Sequence, residues 1–147
     1  MAQSNQAGNG RQNDPGDYRS DNLKDSEMMA HLIDAMNSGT DVGHYGRLVF
    51  VMVSRYFMNE EEVFDMLNKQ PGMSEEEARA LILQVDQKDY NPPKRERILE
   101  WQSMQDFQIC PNPEDPNGCN VYKDLKFPQE IYDRIGEFWV EKAESQD

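Results

Sequence analysis

The sequence predicts a mainly α fold, a compact bundle of about six short helices with one long Pro-rich loop and a disordered N-terminal tail. Three observations predict it. Apolar residues recur at helical spacing in one segment after another. Two segment starts carry capping-box residues, Asn59 with Glu62 and Ser74 with Glu77. The stretch Ile109-Cys110-Pro111-Asn112-Pro113-Glu114-Asp115-Pro116-Asn117-Gly118-Cys119-Asn120 is too rich in proline to continue any regular element.

A chain of 147 residues suits one domain and buries about two thirds of the surface that its unfolded form exposes. Residues 1–22 are rich in Gln, Asn, Gly, Ser and Asp with Tyr18 as their one aromatic. Such a composition does not offset the entropy of ordering, so they are expected as a tail and residues 23–147 as a single helical domain.

Met29, Leu32, Ile33 and Met36 form one apolar stripe, ended by Asn37-Ser38-Gly39. Thr40 or Asp41 is then placed to cap a second helix whose body, Leu48-Val49-Phe50-Val51-Met52-Val53, is apolar nearly all round and is expected at the centre of the fold. Valine and phenylalanine also suit a buried strand. Helix is preferred because the run continues through Tyr56-Phe57-Met58, beyond the usual strand length.

The helix from Asn59 presents Val63, Phe64, Met66 and Leu67 and stops before Pro71-Gly72; that from Ser74 presents Ala78, Leu81, Ile82 and Val85. Glu60 to Glu62 and Glu75 to Glu77 stand in first turns, where the helix dipole favours negative charge. Adjacent helical residues diverge by about 100°, so these triplets do not converge on a metal ion. Asn91-Pro92-Pro93 opens a fifth helix with Ile98, Leu99, Trp101 and Met104 on its apolar face. After the loop, whose expected anchors are Phe107, Ile109, Tyr122 and Phe127, Phe127-Pro128 opens a last helix with Ile131, Tyr132, Ile135, Phe138 and Trp139.

The chain carries 28 acidic and 15 basic residues, a formal charge of -13, which disfavours unassisted attachment to phosphate backbones or anionic lipid. No apolar run approaches the roughly 20 residues of a bilayer span, so no membrane partner is expected. The N-terminus lacks the basic and apolar regions of a secretion signal, and the expected compartment is the cytoplasm. There, Cys110 and Cys119 are expected as reduced, inert thiols, with a disulfide or a metal pair as the lesser alternatives.

Catalytic signatures are absent. Two histidines, His31 and His44, give few ways of activating Cys110, Cys119 or a serine, and no phosphate-binding glycine motif occurs. No catalytic residue, metal or cofactor is therefore assigned. Gly43-His44-Tyr45-Gly46-Arg47 places two glycines in the first turns of a helix at a cost of roughly 1 kcal/mol each, which marks close packing more often than a ligand.

Charge distribution says more than charge total. From Val42 to Met58 there is no acid, only Arg47 and Arg55, and Lys94-Arg95-Glu96-Arg97 is the one dense basic cluster. If these segments meet, Arg47, Arg55, Lys94, Arg95, Arg97, Tyr45 and Trp101 form a contact face on an otherwise negative body. Arg47 through Met58, then Asn59-Glu60-Glu61-Glu62-Val63, then Pro92-Pro93 and the Cys-Pro turn, resembles the succession in helical modules that accompany primases and replicative helicases. That resemblance spans about half the chain, includes no catalytic motif, and implies a DNA-binding accessory acting through the basic face. The function expected from the residues themselves is a small acidic, non-enzymatic adaptor that docks on another protein. A small Cys- or His-dependent enzyme or redox protein is the remaining alternative.

Overall fold

A computed structural model of the protein describes residues 20–136. Every regular element among them is helical. A 3-10 helix, Ser20–Asp25, precedes α1 (Glu27–Asn37), α2 (Gly43–Ser54), α3 (Glu60–Leu67), α4 (Glu75–Lys88), α5 (Arg95–Gln102) and the single turn α6 (Val121–Asp124), and α7 follows over 129–136. The segment expected as a tail lies outside the described residues up to residue 19. Its last residues belong to the 3-10 helix, whose Leu23 is fully buried. Phe138 and Trp139 of the last expected helix also lie outside the described residues.

α2 is the hub, packed against α1, α3, α4 and α5. Its Val49, Phe50, Val51, Met52 and Val53 are all buried, as an all-round apolar helix requires, so the strand alternative for this segment is excluded. Burying a side chain such as Phe50 or Val49 stabilises the fold by about 1.5–3 kcal/mol. α1 contributes Met28, Met29, Leu32, Ile33 and Met36 to the same core, capped by buried Ser26, whose Oγ accepts from Met29 N at 3.2 Å. Both expected capping boxes are formed. Asn59 and Glu62 exchange bonds of 2.9 Å at the start of α3, and Ser74 and Glu77 bonds of 3.0 and 3.1 Å at the start of α4. The backbone N–H of Ser74 and its hydroxyl together hold the Glu77 carboxyl below its ordinary pKa.

Three boundaries depart from expectation. Val42, not Thr40 or Asp41, is the N-cap residue of α2 and its own side chain makes no capping bond, but Asp41 does accept from a free amide of the helix as expected, Gly43 N donating to its Oδ1 at 2.9 Å. α5 begins two residues after Pro93, because both prolines are buried against the core and Lys94 takes the extended cap conformation. Met104, expected on the apolar face of the fifth helix, lies past its end and is 58% exposed.

The largest correction concerns the cysteines. Cys110 and Cys119 form a disulfide, with Cα atoms 5.8 Å apart, where inert thiols were the expectation. The turn Asp115-Pro116-Asn117-Gly118 folds the loop back on itself, with Gly118 N donating to Asp115 O at 2.8 Å. Gly118 then lies so close to Asn112 that an added Cβ would stand 2.7 Å from its carbonyl oxygen, and Cys119 adopts φ +63°. Chain reversal within the loop is thus what brings the two sulfurs together. The loop is strapped down at both edges. Arg95 donates to Pro113 O at 2.7 Å, Gln102 accepts from Cys110 N at 2.7 Å, His31 bonds Gln108 O at 2.8 Å, and Asn112 reaches Glu27 at 2.7 Å. Of the four expected anchors, Ile109 and Phe127 are buried, while Phe107 stacks on His31 at 5.0 Å and Tyr122 joins an aromatic cluster with Phe127 and Tyr132. The Tyr122 hydroxyl donates to Pro92 O, and burial pushes its pKa up.

Candidate functional site

Helical spacing puts Tyr45, Leu48 and Met52 on one stripe of α2, at i, i+3 and i+7. α5 packs against this helix and supplies Trp101, whose ring stacks on Tyr45 at 5.5 Å with planes 16° apart. His44 stands edge-on to Tyr45 at 5.2 Å, and the Arg97 guanidinium lies 5.9 Å from the Trp101 ring centroid. Beside this stack runs a groove of about 480 Å³, lined by Leu48, Met52, Tyr90, Asn91, Pro93, Lys94, Arg97 and Trp101. Its lining contains two cations and no carboxylate.

Four of the seven residues expected at a contact face therefore gather here: Tyr45, Lys94, Arg97 and Trp101. The other three turn elsewhere. Arg47 sits two positions from Tyr45, about 200° around the helix, and reaches Asp41 at 3.1 Å, Gln70 Oε1 at 3.2 Å and Pro71 O at 3.4 Å. Arg95 is committed to Pro113 O across the loop.

Arg55 is enclosed, its side chain only 16% exposed, and donates to Asp89 Oδ1 at 2.8 Å, the Tyr56 hydroxyl at 2.7 Å, Tyr90 O at 2.9 Å and Asp86 Oδ1 at 3.4 Å. Burial works against its charge, yet the hydrogen bond to Asp89 and the nearby acids outweigh it and raise the pKa. Asp89, the left-handed cap of α4 with φ +51°, also receives Arg134 at 3.1 Å. The Arg55 bond and both cations hold its carboxyl below the ordinary range. Arg55 is thus a clamp joining the ends of α2 and α4, and through Asp89 to α7.

The residues that sequence reasoning passed over are two glutamines. Gln70 is 3% exposed; its Oε1 accepts from Val42 N at 3.0 Å and from Arg47, while its Nε2 donates to Thr40 O at 2.8 Å. Gln105 Oε1 accepts from Tyr45 N at 2.9 Å, and its Nε2 donates to Val42 O at 2.8 Å and Phe107 O at 3.1 Å. Between them they hold the start of α2, and hence Tyr45, in place. The one signal for this was the pair of glycines: a Cβ on Gly43 would collide with Gln105, and one on Gly46 would meet Val42 at 2.9 Å and Leu32 of α1 at 3.6 Å. Both glycines serve close packing.

Cys110 and Cys119 are joined to each other and His31 is turned to Gln108, which leaves His44 at the surface beside Tyr45. Among the described residues no group of three or more His, Cys, Asp or Glu side chains is placed to hold a metal ion. No described helix is long and apolar enough to cross a membrane. Two further surface grooves, of about 420 and 400 Å³, include Asp25 and Asp124 in the first and Glu96 in the second, so neither shares the acid-free lining.

Comparison of the chain with models of known families, with curated proteins and with solved structures finds no match. The resemblance to primase- and helicase-associated modules rests on the segments named above alone.

Proposed function

We propose that this protein is a non-enzymatic adaptor that docks on another protein through the surface around Tyr45 and Trp101. The observation that carries the reading is the stacked Tyr45–Trp101 pair, flanked by Arg97 and opening onto an apolar groove without carboxylates. Tyrosine, tryptophan and arginine are the residue types that dominate binding energy in interfaces, because they offer large rigid area with a polar handle. The backbone that carries Tyr45 is held by partly buried hydrogen bonds with the Gln105 amide, so the stack needs little ordering on association.

The nucleic-acid reading is weaker on the same grounds. Arg47, Arg55 and Arg95 turn away from this face to acceptors within the chain, and the two cations that line the groove are too few for the multiple phosphate contacts that support DNA binding. The cytoplasmic address expected from the sequence has to be weighed against the disulfide. Disulfides are rare where thiols are kept reduced, so the Cys110–Cys119 bond weighs against that address and favours an oxidising one.

The test is affinity capture from the native host with the wild-type chain and a Trp101→Ala variant as matched baits, each identified by mass spectrometry. A protein retained by the wild type and lost by the variant is the expected result. Identical captures from both baits, or steeply salt-dependent DNA binding abolished by Lys94→Glu with Arg97→Glu, would reject the reading.

A further inference from the structure

We infer that the groove between α2 and α5 receives a short peptide with a bulky apolar anchor flanked by carboxylates; this deepens the docking proposal and rests on it. The floor supplies the apolar half of the argument. Met52 and Pro93 are buried beneath it, Leu48 and Tyr90 are half-buried along it, and Trp101 forms one wall. A volume of about 480 Å³ falls within the range of sites that enclose a small ligand or anchoring side chain. Methionine adds an unbranched, polarisable surface that adjusts to the shape of what enters.

Charge supplies the other half. In a chain with 28 acids against 15 bases, a groove lined by Lys94 and Arg97 without a single carboxylate is complementary to an acidic segment and opposed in sign to most of its own surface. α2 contributes no acid to it, since none occurs between Val42 and Met58. Arg97 is paired with Glu100 at 3.6 Å, but both side chains are more than half exposed. Such a pair is worth little in water, so a ligand carboxylate competes with it readily. Nucleic acid fits less well: an apolar floor suits a side chain, and two cations make a short track for a phosphate backbone.

The probe is a hexapeptide of two aspartates, phenylalanine, leucine and two glutamates, titrated into the isotopically labelled full chain and followed by NMR at the Trp101 indole and the Lys94 and Arg97 amides. The expected result is saturable shifts at these positions, with affinity falling as salt is added and falling at least tenfold in a Lys94→Glu, Arg97→Glu variant whose melting curve is unchanged. A control peptide with lysines in place of the acids is expected to leave the signals unmoved.

No saturable shift, equal binding of the lysine peptide, or larger shifts with a short oligothymidylate would overturn the inference, as would self-association that fills the groove. The two proposals fail separately. A host protein lost by the Trp101→Ala bait alongside a silent hexapeptide rejects the acidic ligand and keeps the docking reading. Hexapeptide binding with captures indifferent to Trp101 does the reverse.

Discussion

Gln105 occupies the space that a side chain at Gly43 would need: a Cβ there would stand 2.4 Å from Gln105 Oε1. The contact joins the turn after α5 to the first residue of α2, and it exists because the same amide caps the helix by accepting from Tyr45 N and donating to Val42 O. Gly43 also has φ +79°, a conformation that a Cβ disfavours. Strain and collision therefore act on one residue.

Gly43→Ala is expected to lower stability by about 2 kcal/mol, from the positive φ and displacement of the amide. Gln105→Ala is expected to cost about 1–2 kcal/mol, because partly buried backbone groups lose their partner. The double variant should cost less than the sum, since removing the amide relieves the collision. Denaturant melts of the three variants check this; strict additivity would show that the two residues do not meet.

Gln70→Ala removes the side chain that satisfies Val42 N and Thr40 O and supports Arg47 from 23 positions away. A loss of about 1–3 kcal/mol is expected, with faster amide exchange at Val42 than in the wild type. An unchanged melt and unchanged exchange at Val42 would show that solvent replaces the glutamine.

Asp89 makes stability depend on pH in a definite direction. Its carboxyl is held below the ordinary range, first by the hydrogen bond from Arg55 and then by the charges of Arg134 and Arg55. The folded state thus binds this proton less readily than the unfolded state. The contribution is complete above the ordinary aspartate pKa of about 3.9 and is lost as pH falls through that value toward the lowered folded one. Asp89→Asn keeps a residue tolerant of the left-handed cap and removes the charge. Because Asp89 is 55% exposed, the expected cost at neutral pH is about 1 kcal/mol at most, shrinking as the medium is acidified. Melts of both proteins across an acid series are the check, and a difference that grows toward low pH would contradict the assignment.

Reduction of Cys110–Cys119 opens a loop whose ends are 9 positions apart. Loop-closure entropy for so short a span corresponds to about 2–3 kcal/mol. A Cys110→Ser, Cys119→Ser variant is expected to melt correspondingly earlier, with the greatest gain in amide exchange over residues 109–120. The Tyr45–Trp101 stack should survive, because Gln105 and α2 hold it from the other side. Loss of the Trp101 signal on reduction would show instead that the loop props up the docking face.

The helices were legible wherever local chemistry decides them. The Asn59 and Ser74 boxes, the stripe from Met29 to Met36, and the all-round apolar run at Phe50 each state their outcome in residues three or four positions apart. Helix ends were less legible where a distant side chain does the capping: nothing near Val42 announces Gln70 or Gln105. The disulfide escaped for a related reason. Spacing alone permits many loop shapes, and only the turn ending at Gly118 and the positive φ of Cys119 bring the two sulfurs into reach.

By itself, the sequence determined that the chain folds as short helices around the segment containing Phe50, and that acids avoid the stretch from Val42 to Met58, because periodicity, capping and charge are written into neighbouring positions. The tertiary structure decided which cations serve the fold and which face outward. Arg47 and Arg55 lie in the same acid-free stretch as Tyr45, yet helical rotation and the acceptors Gln70, Asp89 and Tyr90 O draw both arginines away from the Trp101 face. A composition carries no direction, and a side chain's partner is set by the packing of helices far apart in the chain.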